Sequence, residues 1–383
     1  MKKIIRAAVA AALPAVLLAA CSDDNTPEVL PTDYETVEGA KTYPMERTAG
    51  FYLVNEGNMG SNKCTLDWFD FGKSMYVRNI YPERNPQVAM ELGDTGNDIA
   101  IDGSRLYVVV NGSNKVEVMD AGTGVRLGQI DIASPRYIKF HNGFAYVTSY
   151  VGGEGNCGSV VKIDPKTLRV VDTLSVGLQP EEMEVADGHL FVANSMSLTT
   201  YEYDRNVTAI DLETFKKDYD IPVAINMHLL RKDSEGNLWV SSRGNYADVA
   251  SSLFKLSKGS DGRYAVVKDA GVGVSNMAID GDRIYYFSNE WSNATMSFTL
   301  TYGTLDTKTG EKVNSNFITD GTEKEISTPY AIAVNPENGD IYVTDVKNYA
   351  SSGALHVYGR DGKLKWSVAR TGDIPGRIAF LAK

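Results

Sequence analysis

The feature that most restricts this chain is a short hydrophobic motif that returns seven times. An aliphatic or aromatic residue, then an aromatic one, then another hydrophobic one, recur around Tyr52, Tyr107, Tyr146, Phe191, Trp239, Tyr285 and Tyr342. The intervals run from 39 residues (Tyr107 to Tyr146) to 57 (Tyr285 to Tyr342), close to the roughly 40–50 residues of one four-stranded propeller blade. A second apolar run and a turn precede most copies, through Asp102-Gly103, Asn142-Gly143, Asp187-Gly188, Asp280-Gly281 and Asn338-Gly339. Asn-Gly and Asp-Gly accept the positive φ of tight hairpins, so each pair reads as the first two strands of a blade. A third strand follows, often ending in a hydrophobic residue and Asp, as in Val118-Met119-Asp120 and Ile163-Asp164. Helical periodicity is absent.

The two ends complement each other. Phe51-Tyr52-Leu53-Val54 is a second strand with no first strand before it, and Gly376-Arg377-Ile378-Ala379-Phe380 is a first strand with nothing after it. Joined, they make one blade and leave no open seam. The expectation is an all-β chain: a seven-bladed β-propeller over residues 47–383, closed by strands from both termini.

Residues 1–20 read as a secretory leader. Lys2, Lys3 and Arg6 precede an apolar run that is too short to span a bilayer. The run ends in Leu18-Ala19-Ala20-Cys21, a bacterial lipoprotein cleavage pattern, so Cys21 is the expected lipidation site. Residues 21–46 are rich in Asp, Glu, Thr and Pro and read as a lipidated flexible tether. The expected location is the outer membrane, through the lipid anchor and facing the cell surface. An exported protein is allowed disulfides, and Cys64 and Cys157 could pair or stay free. A net charge of −11 without a long basic cluster argues against a nucleic-acid partner.

Propeller topology sorts the loops. The hairpins joining first and second strands are short and share one face. The opposite face gathers the starts of the innermost strands and the long loops that follow the second strands, where function tends to reside on a rigid ring. On that face the sequence places Asn97, Arg136, Tyr137, Gln179, His228, Asn276, Tyr330 and Arg377 at strand starts. Asn55, Asn58, Tyr150, Arg243, Tyr246, Trp291 and Tyr349 stand on the loops. Flat aromatics mixed with amides and guanidinium groups suit a large polar organic ligand.

Catalytic signals are sparse. No HExxH, CxxC, GxSxG or phosphate-binding glycine loop occurs, and His228 is the one histidine of four expected on the loop face. No metal or cofactor site is expected, and the chain reads as a binder rather than an enzyme. Acidic residues on that face (Glu56, Asp98, Glu181, Asp345) leave a hydrolase pair open. A surface glycan-binding propeller and a propeller lactonase or lyase remain the alternatives.

Several segments carry a resemblance. Gly50-Phe51-Tyr52-Leu53-Val54-Asn55-Glu56-Gly57-Asn58-Met59-Gly60-Ser61-Asn62, Gly93-Asp94-Thr95-Gly96-Asn97-Asp98-Ile99, Ser134-Pro135-Arg136-Tyr137-Ile138, Ala145 to Tyr150 and Gly177-Leu178-Gln179-Pro180-Glu181 are similar to the BtuG family of surface cobalamin-capturing lipoproteins. The resemblance implies a propeller that binds cobalamin at the mouth of its channel and works with a TonB-dependent outer-membrane cobalamin transporter. Asn55, Asn58, Asn97, Arg136, Tyr137, Tyr150 and Gln179 lie in the resembling segments. Arg243, Tyr246, Asn276, Trp291, Tyr330, Tyr349 and Arg377 are carried by topology alone, and His228 stands as a hypothetical cobalt ligand.

Overall fold

Each copy of the motif becomes the second strand of an antiparallel sheet, and seven such sheets succeed one another along the chain. The computed structural model describes residues 31–89, 91–292 and 296–383. The leader and Cys21 lie outside the described residues. Alternation along each strand sends neighbouring side chains to opposite faces. Leu106 and Val108 therefore enter the core between blades 1 and 2, while Tyr107 and Val109 enter the core between blades 2 and 3. The seven motif aromatics fall one into each of seven hydrophobic clusters, one cluster per blade junction. None exposes more than 9 % of its surface, so each stabilises its junction by about 1.5–3 kcal/mol. The repeat read in the sequence is thus one aromatic anchor per interface.

The innermost strands are Gly96–Asp102, Pro135–His141, Pro180–Ala186, Met227–Lys232, Asn276–Asp280, Pro329–Val334 and Pro375–Ala382. They lie side by side in that order around a central channel. The last closes the ring by pairing with Thr48–Asn55, placing Phe380 opposite Phe51 and Arg377 opposite Val54. Hairpin chemistry is as read: Asn142 and Gly143 have φ of 46° and 77°, Asp187 and Gly188 of 45° and 75°. Both central residues of each turn are left-handed, the twist that matches paired strands.

Three elements differ from the sequence reading. The tether was expected to run through residue 46, yet Tyr34–Thr36 adds a fifth, outer strand to blade 1 by pairing with Met75–Val77. A 3-10 turn, Glu38–Thr42, follows, and Val37, Ala40 and Met45 pack beside Trp366. Arg78 pins this strand through Asp33 at 3.0 Å and Glu35 at 2.5 Å. Second, the stretch around Trp291, which propeller topology predicts to be a loop, is not one. Instead Arg283–Ser292 and Ser297–Asp306 form a long hairpin paired out to Ser292 and Ser297, because Phe298-Thr299-Leu300-Thr301-Tyr302 continues the alternating β pattern. Third, one helical turn, Ile80–Arg84, follows Met75–Val77. Pro82 sits within its first turn, where a backbone N–H has no helical partner to lose.

Cys64 and Cys157 are free thiols, the first buried. Among the described residues no helix is long and apolar enough to cross a membrane.

Candidate functional site

The site grows from irregularities at one end of the innermost strands. Six of the seven carry a register shift over their first residues, so that an extra residue faces the partner strand. The residues within these bulges are Asn97, Arg136 with Tyr137, Glu181 with Glu182, His228 with Leu229, Tyr330 with Ala331, and Gly376. A bulge re-aims side chains at the cost of a ladder hydrogen bond. Here hydroxyls opposite take up the freed backbone groups. Thr148 Oγ1 accepts from Tyr137 N at 3.1 Å, Ser241 Oγ from Leu229 N at 3.0 Å and Thr344 Oγ1 from Ala331 N at 2.8 Å.

Three of the re-aimed side chains, Arg136, Glu181 and Glu182, join Arg243, Arg231 and Arg377 in two Arg–Glu–Arg triads. In the first, Glu181 is 1 % exposed and accepts from Arg136 Nη2 at 3.0 Å, Arg243 Nη1 at 3.2 Å and the Tyr150 hydroxyl at 2.9 Å. In the second, Glu182 accepts from Arg377 Nη2 and Arg231 Nη1, both at 2.6 Å, and from Leu230 N at 3.0 Å. Burial alone would raise both carboxyls, but the flanking guanidinium groups outweigh it and hold them below the ordinary glutamate value. Tyr137 joins the triads: the guanidiniums of Arg136 and Arg377 lie 5.5 and 5.2 Å from its ring centroid. Its hydroxyl meets His228 Nε2 at 3.0 Å. Burial and the surrounding arginines push His228 well below the ordinary histidine value, so the imidazole is neutral.

Two other carboxyls stand here. Glu56 accepts from the Tyr330 hydroxyl at 2.9 Å, and burial pushes it up to about 7. Asp98 accepts from Ile138 N at 3.0 Å and is also raised by burial. Each ionised triad carries one net positive charge, in a chain whose formal charge is −11. Below the mouth the channel opens into cavities of about 350 and 260 Å³, with Arg231 and Arg377 lining both. Both suit a side group rather than a macrocycle.

Around the mouth the loops expose large apolar side chains, among them Met59 (80 %), Leu198, Tyr201 (74 %), Tyr246 (70 %), Met296 and Tyr349. Scattered apolar residues are ordinary, but a set ringing a polar centre marks an interaction surface.

The candidates separate into three groups. Arg136, Tyr137, Tyr150, His228, Arg243, Tyr330 and Arg377 converge on the mouth through the contacts above. Asn55, Asn97 and Asn276 are buried supports rather than open contacts. Asn97 donates to Arg136 O, Asn276 to Tyr330 O at 3.0 Å and Asn55 to Thr65 Oγ1 at 3.1 Å. Asn58, Gln179, Tyr246 and Tyr349 stand on the loops. Asn58 donates to Tyr349 O at 2.9 Å, and Gln179 takes a φ of 35° just before the Pro180 strand. Trp291 lies near the tip of the blade 6 hairpin, opposite Phe298. Asp345, read as a possible acid, is buried and accepts from Ser327 N, Thr328 N and Lys347 N. Sequence reasoning names neither Arg231, which lies inside a strand, nor Glu182, which follows Glu181, as a site residue. The Ser or Thr two residues after the motif aromatic (Thr148, Ser241, Thr344) is the signal that could have located the bulges.

Among the described residues no three His, Cys, Asp or Glu side chains are grouped to hold a metal ion. No curated protein matches the chain. Solved structures share the fold at low identity. A quinoprotein alcohol dehydrogenase-like protein from Bacteroides thetaiotaomicron superposes with a TM-score of 0.62 at 16 % identity, covering 88 % of this chain and 79 % of its own. Hydrazine synthase of Kuenenia stuttgartiensis gives 0.56 at 16 %, covering 75 % and 95 %. AztD from Citrobacter koseri gives 0.52 at 11 %, covering 88 % and 99 %. Residues 49–369, nearly the whole propeller, match the family described as Domain of unknown function (DUF5074), and the chain belongs to that family.

Proposed function

We propose that this protein is a lipid-anchored outer-membrane protein that captures cobalamin at the loop-bearing mouth of its propeller and passes it to a TonB-dependent transporter. The observation that carries the reading is convergence. The segments similar to the BtuG family are far apart in sequence, yet hydrogen bonds join them at one end of the ring. Gly96 N donates to Glu56 O at 3.1 Å, Asn97 to Arg136 O, and Arg136 and Tyr150 to Glu181. A corrin is a broad macrocycle fringed with carboxamides. Its apolar body suits the exposed aromatic and methionine rim, and its amides suit the guanidinium, phenol and imidazole groups within. The role is binding rather than turnover: Glu181, Glu182 and Glu56 are committed to arginine or tyrosine partners.

Titration calorimetry of cyanocobalamin into the purified protein tests the reading. Saturable one-to-one binding is the expected result. No heat and no change in the visible spectrum, with the protein shown folded, would remove cobalamin and bring oligosaccharides forward as the next ligands. The anchor has its own test. Cys21→Ser should move the protein from the outer-membrane fraction to the soluble fraction with its melting curve unchanged, and retention in the membrane would refute lipidation at this residue.

A further inference from the structure

We propose that the Arg136–Glu181–Arg243 triad is an oxyanion receptor, which takes a phosphate-class group of the bound ligand onto the two guanidiniums. This rests on the capture reading for the ligand's identity, but its physical basis is independent of it.

The argument is one of charge left over. Glu181 is almost fully buried and accepts four hydrogen bonds from Arg136, Arg243 and Tyr150, so it has little left to offer a ligand. Its single negative charge is shared between two guanidiniums whose side chains are 16 % and 31 % exposed. Surplus positive charge that is largely shielded from water is costly unless an anion completes it. Glu181 receives Nε and Nη2 of Arg136 and Nη1 of Arg243, which leaves further N–H donors on both groups. The neighbouring carboxyls are engaged elsewhere: Glu56 accepts from the Tyr330 hydroxyl and Asp98 from Ile138 N.

Geometry adds preorganisation. Arg136 is clamped between aromatic faces, 4.7 Å from the Tyr150 centroid and 5.5 Å from that of Tyr137. A planar, immobilised guanidinium suits bidentate recognition of phosphate oxygens better than a flexible ammonium does. Nothing in the network needs Arg243 for charge balance: without it, Arg136 and Glu181 remain a neutral pair, also bonded by Tyr150. Its presence is explained by a ligand.

The test compares two corrinoids. Cyanocobalamin carries a phosphodiester, whereas dicyanocobinamide has the same macrocycle without it. Arg243→Met should weaken cyanocobalamin by about ten- to a hundredfold, the range for a charge-assisted hydrogen bond. The loss for dicyanocobinamide should be at least several-fold smaller, and Arg243→Lys should fall between wild type and Arg243→Met. An equal loss for both corrinoids, or none, would overturn the receptor while leaving cobalamin capture standing. If the wild-type protein binds neither corrinoid, pyrophosphate serves as the probe. Pyrophosphate binding that Arg243→Met abolishes would keep the receptor and reject only the ligand. Its failure to bind would reject the receptor too. Melting curves of each variant confirm that a loss reflects the site and not the fold.

Discussion

Deleting residues 375–383 should abolish cooperative folding. Among the described residues Pro375–Ala382 is the one strand supplied to blade 1 from the far end of the chain, and it pairs along nearly the whole of Thr48–Asn55. Its loss bares the edge of a strand bearing Phe51, Leu53 and Val54, all fully buried in the intact ring. Phe380 packs edge-on against Phe51 and Tyr342 at 6.0 and 5.1 Å between ring centroids, bridging blades 1 and 7. Arg377 goes with it and leaves Glu182 with one cation. An open apolar edge invites association with other chains, so the truncated protein should aggregate and lose its sharp thermal transition. Circular dichroism with light scattering checks this, and a synthetic 375–383 peptide should restore part of the transition. A truncated protein that stays monomeric and melts within a few degrees of wild type would show that the ring does not depend on its closure.

Glu181→Ala should destabilise the propeller by about 3–5 kcal/mol, the usual cost of removing one partner from a buried ion pair. The variant leaves Arg136 and Arg243 facing each other without a counter-ion and the Tyr150 hydroxyl without its acceptor. The effect should depend on pH with a definite sign. Burial opposes ionisation of Glu181, but Arg136 and Arg243 overcome it and hold its folded value below that of an ordinary glutamate. Its stabilisation is therefore complete above the ordinary value and fades as pH falls through the lower, folded one. Urea denaturation of wild type and variant at neutral and acidic pH should show the gap narrowing in acid. A loss under 1 kcal/mol at neutral pH would mean that the triad contributes no net stability.

The architecture was legible because its determinants are local. An alternating strand, a tight turn and an aromatic anchor each occupy a few consecutive residues, and seven repetitions of them leave one way to bury seven aromatics. The incomplete blades at the two ends were legible for the same reason. The fifth strand of blade 1 was not, since Tyr34-Glu35-Thr36 is three residues without a buried face. Its placement depends on Arg78, Asp33 and Glu35 meeting across the sheet edge. The blade 6 hairpin was mistaken for a loop because polar serines interrupt a pattern that its partner strand continues.

The functional end divides along the same line. Topology puts Arg136, Tyr137, His228, Arg243 and Arg377 at one end of the ring, because innermost strands start and second strands end there. What topology could not supply was the pairing. Arg136 and Glu181 are 45 residues apart, Arg377 and Glu182 195 apart, and only the closed ring brings them together. Nor could it separate Asn97 and Asn276, spent on backbone carbonyls, from residues left open to a ligand. The sequence by itself determined a seven-bladed ring and the end on which its variable chemistry gathers, since strand alternation and turn chemistry are properties of neighbours. Only the tertiary structure decided which charges meet, because burial and Coulomb pairing depend on distances across the ring that no local pattern encodes.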